Sequence, residues 1–526
     1  MAQTVLCVVI EVDSRSAALL REHVLRLRRD EEASSPKYSR LSKAVPVLHF
    51  MSMTVSPDEA YDPIFCLEVC FDGPPGPFWA QLEAVIGPQL RDIFRCAKPL
   101  HNGAGDLFAA VTAEGSRVPL APLLEACSVK PVAFHQGNRG LDRRRIEDEG
   151  ALFLAARLPA DSPALRRKTP EAIHAELRAG LLPQFPWLND RAPARVTPVE
   201  FVDDLGRLVG LIVFVLVALS LPAAGLALLF RTPLAPVLLV LTAVFFGLRV
   251  ADLNTEEGRF SRRSRLAGLA VLLALAGNIL VRVRGADVLG IVRLLGAPMA
   301  DDHPVWFWTL TLVSGACASV LGILVWLRRL ERADPAHDAP RLNAAVQRRI
   351  VRAEGDAVQS HMFSIVNVKP GVLRAVLLRV GLPAVGLRLR VMAHDGYVGI
   401  IHSMRTLHFT HWCLVSNGAR LMFNSNYDGS WDSYLDDFIE KAHAAVTGAW
   451  SSCVGFPRTR MLVLDGSTDG IKFKAWARHS MVDSLLWFSA YRQFTVDQIE
   501  RHARLAQGFR KTSLKRREAE TWLLDL

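Results

Sequence analysis

The chain has 526 residues, with 62 Lys and Arg against 52 Asp and Glu, a formal net charge of +10. Half of the residues are hydrophobic and 22% are charged, which excludes a largely disordered chain. A mean hydropathy of +0.20 is high for a soluble enzyme and points to a membrane portion in a protein of about three or four domains.

The chain opens on TVLCVVIEVD, a buried strand interrupted by Glu11 and Asp13 and not a signal peptide. An amphipathic helix is expected from Arg15 to Arg29. His49 to Val55 and the run IFCLEVCF then read as the two strands of a hairpin. In the second of these, Cys66 and Cys70 share a strand face; all eight cysteines are read as small core residues in a reducing compartment. No C-x-x-C or zinc-finger spacing occurs, and no metal site is assigned.

Asp72-Gly73 ends the hairpin, and Phe78, Trp79 and Leu82 mark a helix behind it. A further strand is expected at Pro131–His135. Beyond it, His135, Asn138 and Arg139 lie in a polar, glycine-punctuated stretch suited either to an anion or to a charged loop opening a helix at Asp142.

Four apolar runs follow, at 208–230, 233–248, 266–281 and 305–327. The first and last have the length to cross about 30 Å of hydrocarbon; the middle two are short. Trp306, Trp308 and Trp326 suit the two interfaces. Arg207, the cluster Arg249 to Arg265, and Arg328, Arg329 and Arg332 fall on one side if all four runs cross. Arg231, Arg282, Arg284 and Arg293 would lie on the other, beside Asp287, Asp301 and Asp302. The positive-inside rule therefore predicts a multi-pass inner-membrane protein with both termini cytoplasmic. The lipid bilayer is the expected partner of the basic residues, and nucleic acid is excluded because no basic-aromatic binding motif occurs.

The insert divides the chain into a first flank (1–206), the membrane segment (207–329) and a second flank (330–526). The flanks match. MFSIVNVKPG leads into a helix at about 372–380, His408 to Val415 and RLMFNSNY form a second hairpin, and Tyr427-Asp428-Gly429 answers Phe71-Asp72-Gly73. Trp431, Tyr434 and Phe438 follow, and Lys472–Arg478 is read as the last strand. The order β-α-β-β-α in each flank predicts an α+β fold of two ferredoxin-like, split βαβ repeats interrupted by a membrane helical domain.

The doubled unit resembles the dimeric α/β-barrel superfamily, which includes chlorite dismutases and dye-decolorising peroxidases. The stretch Asn426-Tyr427-Asp428-Gly429-Ser430, with Tyr434, Asp436, Asp437 and Phe438 after it, is similar to a motif of uncharacterised bacterial proteins with that fold. The resemblance implies two repeats packed as a pseudo-dimeric barrel. It also implies haem as a cofactor of a peroxidase-like oxidoreductase, with Asp72 or Asp428 as distal acid in place of the family's G-x-x-D-G, whose first glycine is missing in both copies. The residue-level alternative is that both aspartates cap a helix. His49 and His408, at equivalent strand positions, are candidates for ligand binding or for core histidines. His411 faces the other side of an ideal strand from His408 and would not share a metal with it. Two further readings stand beside the peroxidase. One is a cytoplasm-facing, membrane-anchored barrel binding an apolar small molecule or lipid-like ligand through Trp79, Trp431 and Tyr434. The other is a non-catalytic membrane partner of another enzyme.

Overall fold

The computed structural model describes residues 3–56, 62–100, 104–165, 167–230, 234–255, 257–284, 305–335, 344–345, 348, 352, 358–392 and 405–526. The first flank runs β1 (Gln3–Glu11), α1 (Ala17–Glu32), α2 (Ser39–Ala44), β2 (Leu48–Ser56), β3 (Ile64–Asp72) and α3 (Pro75–Arg95). It continues with α4 (Gly105–Thr112), α5 (Ala121–Ala126), β4 (Ser128–Val129), β5 (Ala133–Gln136), α6 (Arg143–Ala160) and α7 (Pro170–Leu181). The apolar runs form α8 (Pro198–Phe230), α9 (Ala235–Leu253), α10 (Arg262–Arg284) and α11 (Val305–Ala333). The second flank opens with β6 (Gln359–Asn367), α12 (Val372–Met392), β7 (Leu407–Val415), β8 (Arg420–Asp428), α13 (Trp431–Lys441) and α14 (His443–Trp450). After a short hairpin of β9 (Thr459–Arg460) and β10 (Leu464–Asp465) come α15 (Gly470–Ser480), β11 (Met481–Val482), β12 (Ser484–Ser489), α16 (Val496–Arg510) and α17 (Arg516–Leu523).

The molecule is α+β with two antiparallel five-stranded sheets, ordered β12-β2-β3-β1-β4 and β11-β6-β8-β7-β5. Each sheet takes its fifth strand from the other flank: β12 pairs with β2, and β5 pairs with β7. Every residue of β2, β3 and β8 is buried. The cause is that each sheet carries helices on one face and meets the other sheet on the opposite face. Along β3, Phe65, Leu67, Val69 and Phe71 join the helix-side core. Cys66 and Cys70 join clusters that contain side chains from both sheets. Their shared face is therefore the seam between the sheets.

One strand expectation fails. Lys472–Arg478 is helical, within α15. Asp469 accepts a hydrogen bond from the Lys472 N–H at 3.2 Å and so caps the helix. Phe473, Trp476 and Ala477 are buried at the 3–4 spacing of a helix face. The strand lies just beyond, at β11 and β12. The helix expected at 372–380 runs on to Met392.

Four helices, Pro198–Leu229, Ala235–Leu253, Arg262–Val283 and Phe307–Ala333, are long and apolar enough to cross a membrane. The two short runs become full-length helices because their flanking polar residues stay helical. Arg249 pairs with Asp252 at 3.0 Å within α9. α8 and α11 cross closely: a Cβ built on Gly315 would lie 2.0 Å from the Ala223 Cβ, a small-residue contact of the kind membrane helices use. The Trp306 side chain, Arg231 and the segment with Asp287, Arg293, Asp301 and Asp302 lie outside the described residues, as does the Arg284 side chain.

α6, α7, α16 and α17 form a third core. In this helical layer His502 stacks on Phe153 at 4.4 Å and is 3% exposed. Burial, with a smaller contribution from Arg501, lowers its pKa from 6.5 to about 4. His174, whose Nε2–H donates to the Gly508 carbonyl, is lowered in the same direction by burial. The unfolded chain takes up these protons first, so stability is complete above about pH 6.5 and is lost as pH falls toward 4. At about 1.4 kcal/mol per pH unit, a shift of that size makes His502 alone worth on the order of 3 kcal/mol. A series of thermal melts from pH 7 to 4 is expected to fall through that window, and His502→Leu to flatten the fall. An unchanged slope in that variant would refute the assignment.

Candidate functional site

The aspartates and histidines of the two Asp-Gly motifs form matching pairs. His49 Nε2 lies 2.9 Å from Asp72 Oδ2, and His408 Nε2 bonds Asp428 Oδ1 at 2.8 Å. Both histidines sit at a register shift, between Leu48 and Phe50 and between Leu407 and Phe409. These bulges turn the rings toward the strand-end carboxylates. Each aspartate also accepts a backbone N–H at 2.8 Å, Asp72 from Arg143 and Asp428 from Val496. Both carboxylates thus cap helices, though not the ones directly following: the capped helices are α6 and α16, one element beyond the fifth strand. The same equivalence appears in the rings, where Phe71 stacks on Phe78 at 3.8 Å and Tyr427 on Tyr434 at 4.0 Å.

The other expected site residues do not gather into one pocket. His135 lies on β5, in register with Thr410. Asn138 donates to Glu500 Oε1 at 2.9 Å and to the Val496 carbonyl. Arg139 pairs with Asp204 at 2.7 Å, an internal carboxylate in place of a bound anion. Trp79 is buried in the first helix-side core. Trp431 lies under the Arg478 guanidinium, 3.7 Å from its ring centre, and Tyr434 donates to Ser425 Oγ at 2.8 Å.

Haem does not fit these residues. His49 Nε2 faces the Asp72 carboxylate and its Nδ1 meets the Tyr491 hydroxyl at 2.8 Å. Phe50 and Phe409, 5.6 Å apart, fill the space between the two His-Asp pairs.

The polar centre is elsewhere in the seam, at Glu68. This carboxylate is fully buried mid-strand. Its Oε2 accepts from Ser52 Oγ at 2.7 Å and lies 2.8 Å from His361 Nε2 of the opposite sheet. Its Oε1 accepts from Asn426 Nδ2 at 3.0 Å, and His411 Nδ1 lies 3.8 Å away. Burial by itself would raise the Glu68 pKa. The charge and hydrogen bond of His361, with His411 and Ser52, outweigh it and hold the group at about 2. His361 Nδ1 meets Ser484 Oγ at 2.7 Å, and Trp487 Nε1 donates to Asn426 Oδ1 at 2.9 Å. Both Ser484 and Trp487 belong to the exchanged strand β12, so the network spans both sheets and both flanks.

Below Glu68 the seam holds Cys7, His411 and Cys413, all fully buried, with their ligand atoms within 4.8 Å of one another. Cys7 Sγ lies 3.2 Å from His411 Nε2. Hydrogen bonds with Cys413 and Cys66, together with burial, push the Cys7 thiol well above its ordinary range. Burial pulls His411 down to about 4, against the opposing charge of Glu68. The cysteines read from sequence as separate core residues are thus partly a cluster. Glu68 and His361 escaped the sequence reading, which weighed His411 only as a partner of His408. The signal was a single carboxylate at an inward position of an otherwise apolar strand.

A separate apolar cavity of about 350 Å³ lies between α12 and α14, closed at one side by Leu462 and Val463. Its two walls are tied to the bases of different membrane helices. α12 is held to α8 by Arg390–Asp204 at 3.0 Å. The Leu462 segment is held to α11 by Glu331, which accepts the Met461 and Leu462 N–H groups at 3.0 and 2.8 Å. No protein-family model, no curated protein and no solved structure matches this chain.

Proposed function

We propose that the protein is a membrane-anchored receptor for an apolar, lipid-like molecule, which it takes up in the cavity between α12 and α14. The two sheets are read as ferredoxin-like units, each in the order 4-1-3-2 with one strand added from its partner, forming a pseudo-dimeric barrel. The exchange of strands between flanks supports a placement of both on one side of the bilayer, and the charge bias favours the cytoplasmic side.

One observation carries the ligand reading: the cavity is apolar, and its α12 wall and its Leu462 side are pinned to the bases of the first and fourth membrane helices. A ligand partitioned into the bilayer would reach it without crossing water. Leu377, Leu382, Val385 and Leu389 supply apolar surface, and Arg388 at the rim suits an anionic headgroup. Burial of an acyl chain there contributes about 0.8 kcal/mol per CH₂.

Gly381 provides the test. It lines the cavity, and a Cβ on it meets nothing within 4 Å. Gly381→Phe therefore starts from an open Cβ position and is expected to occupy the cavity with its ring. Purified protein in nanodiscs is expected to bind a pyrene-labelled fatty acid, with affinity falling roughly tenfold or more in the variant (about 1.4 kcal/mol). Equal binding by both proteins, or none by the native one, would overturn the reading.

A further inference from the structure

The geometry points to a buried binding site for a thiophilic divalent metal ion, Zn²⁺ by its chemistry, formed by Cys7 of one sheet with His411 and Cys413 of the other. This site is independent of the apolar cavity, so its failure would leave the receptor reading untouched.

Three observations converge. The donor atoms of the three residues already lie within 4.8 Å of one another, and Cys7 Sγ and His411 Nε2 are 3.2 Å apart. Zn–S and Zn–N bonds of about 2.3 and 2.0 Å place tetrahedral donors roughly 3.4–3.8 Å apart, so small side-chain rotations close the shell. Second, His411 is oriented as a ligand. Its Nε2 faces the thiol, while its Nδ1, fully buried and without a hydrogen bond, faces Glu68 Oε1 at 3.8 Å. A carboxylate behind the distal nitrogen is the arrangement that fixes metal-binding imidazoles. Third, the site lies inside an apolar seam cluster in which Cys7 and Cys413 are packed with Ile64, Phe363 and Met422, so the donors are shielded from solvent.

Charge selects the ion. Two thiolates and one divalent cation sum to zero, which a dry seam tolerates; two thiolates with a monovalent ion leave a net negative charge beside the Glu68 carboxylate. Binding follows Zn²⁺ + 2 RSH → Zn(SR)₂ + 2 H⁺, with no oxidant or reductant. The ion would clasp the two sheets from inside, joining residues 404 positions apart.

Full-length protein purified in detergent under anaerobic, reducing conditions is to be analysed for metal, stripped with chelator and titrated with Co²⁺. The expected result is one zinc per chain as purified. Stoichiometric cobalt should then give a near-ultraviolet thiolate charge-transfer band and the intense visible bands of a tetrahedral site. Cys7→Ala and Cys413→Ala should each abolish these bands, while the paired control Cys96→Ala with Cys127→Ala retains them. Zinc-edge X-ray absorption on the native protein, which needs no variant to fold, should show mixed sulfur and nitrogen donors. The inference is overturned by a native protein that carries no metal and is silent to cobalt, by an oxygen-only shell, by copper in place of zinc, or by a Cys7–Cys413 disulfide in the native chain.

Discussion

Glu68→Ala is expected to be among the most damaging single substitutions in the seam. It removes the 2.8 Å partner of His361 Nε2 and takes the acceptor away from the buried Ser52 and Asn426 donors. Breaking a buried charged pair by deleting one member typically costs about 3–5 kcal/mol, because the surviving polar groups stay buried and unpaired. Against a total stability of roughly 5–15 kcal/mol this is a large fraction. The midpoint of thermal unfolding in detergent should drop by roughly 5 °C. Glu68→Gln keeps an acceptor for Ser52 and should fall between the alanine variant and the native protein. Combining Glu68→Ala with His361→Leu should recover part of the loss, since no imidazole is then left stranded. A Glu68→Ala protein melting within a degree or two of the native one would show that the carboxylate is not held by these partners.

The second large effect concerns the exchanged strands. If the two flanks were self-sufficient domains, each would fold after the chain is cut. With β12 in the first sheet and β5 in the second, neither can. A first flank without β12 exposes the edge of β2 from Phe50 to Thr54, in a strand buried on both faces, and such an edge recruits other chains. Segments 1–206 and 330–526 expressed alone are therefore expected to aggregate. Two pieces divided between α10 and α11 and produced together should copurify as one folded, membrane-inserted complex. Well-dispersed, monomeric flank alone would contradict the exchange. Cysteine labelling at the two chain ends in intact spheroplasts gives the complementary readout: both ends should be protected alike.

Both experiments act on links that local patterning does not carry. The alternation of IFCLEVCF identifies β3 and its two faces, and it even places Cys66, Glu68 and Cys70 together on one of them. It does not say that the facing surface belongs to another sheet. His361 pairs with a carboxylate 293 residues away, and Trp487 reaches Asn426 from a strand beyond Lys472–Arg478 that the sequence reading did not assign. The His49 and His408 positions show the same limit. Period-two counting assigns each to a face, but a bulge overrides the count and turns both toward Asp72 and Asp428.

Hydropathy and residue spacing pointed by themselves to four apolar membrane segments and to α+β segments on either side of them. Those features depend on periodicities of a few residues, which a linear chain displays directly. Which strands close each sheet, which helices the aspartates cap, and where Glu68, His361, Cys7, His411 and Cys413 meet were decided only by tertiary structure. The reason is energetic: a buried carboxylate or imidazole is tolerable only beside a partner, and the partner's position along the chain leaves no trace in its neighbours.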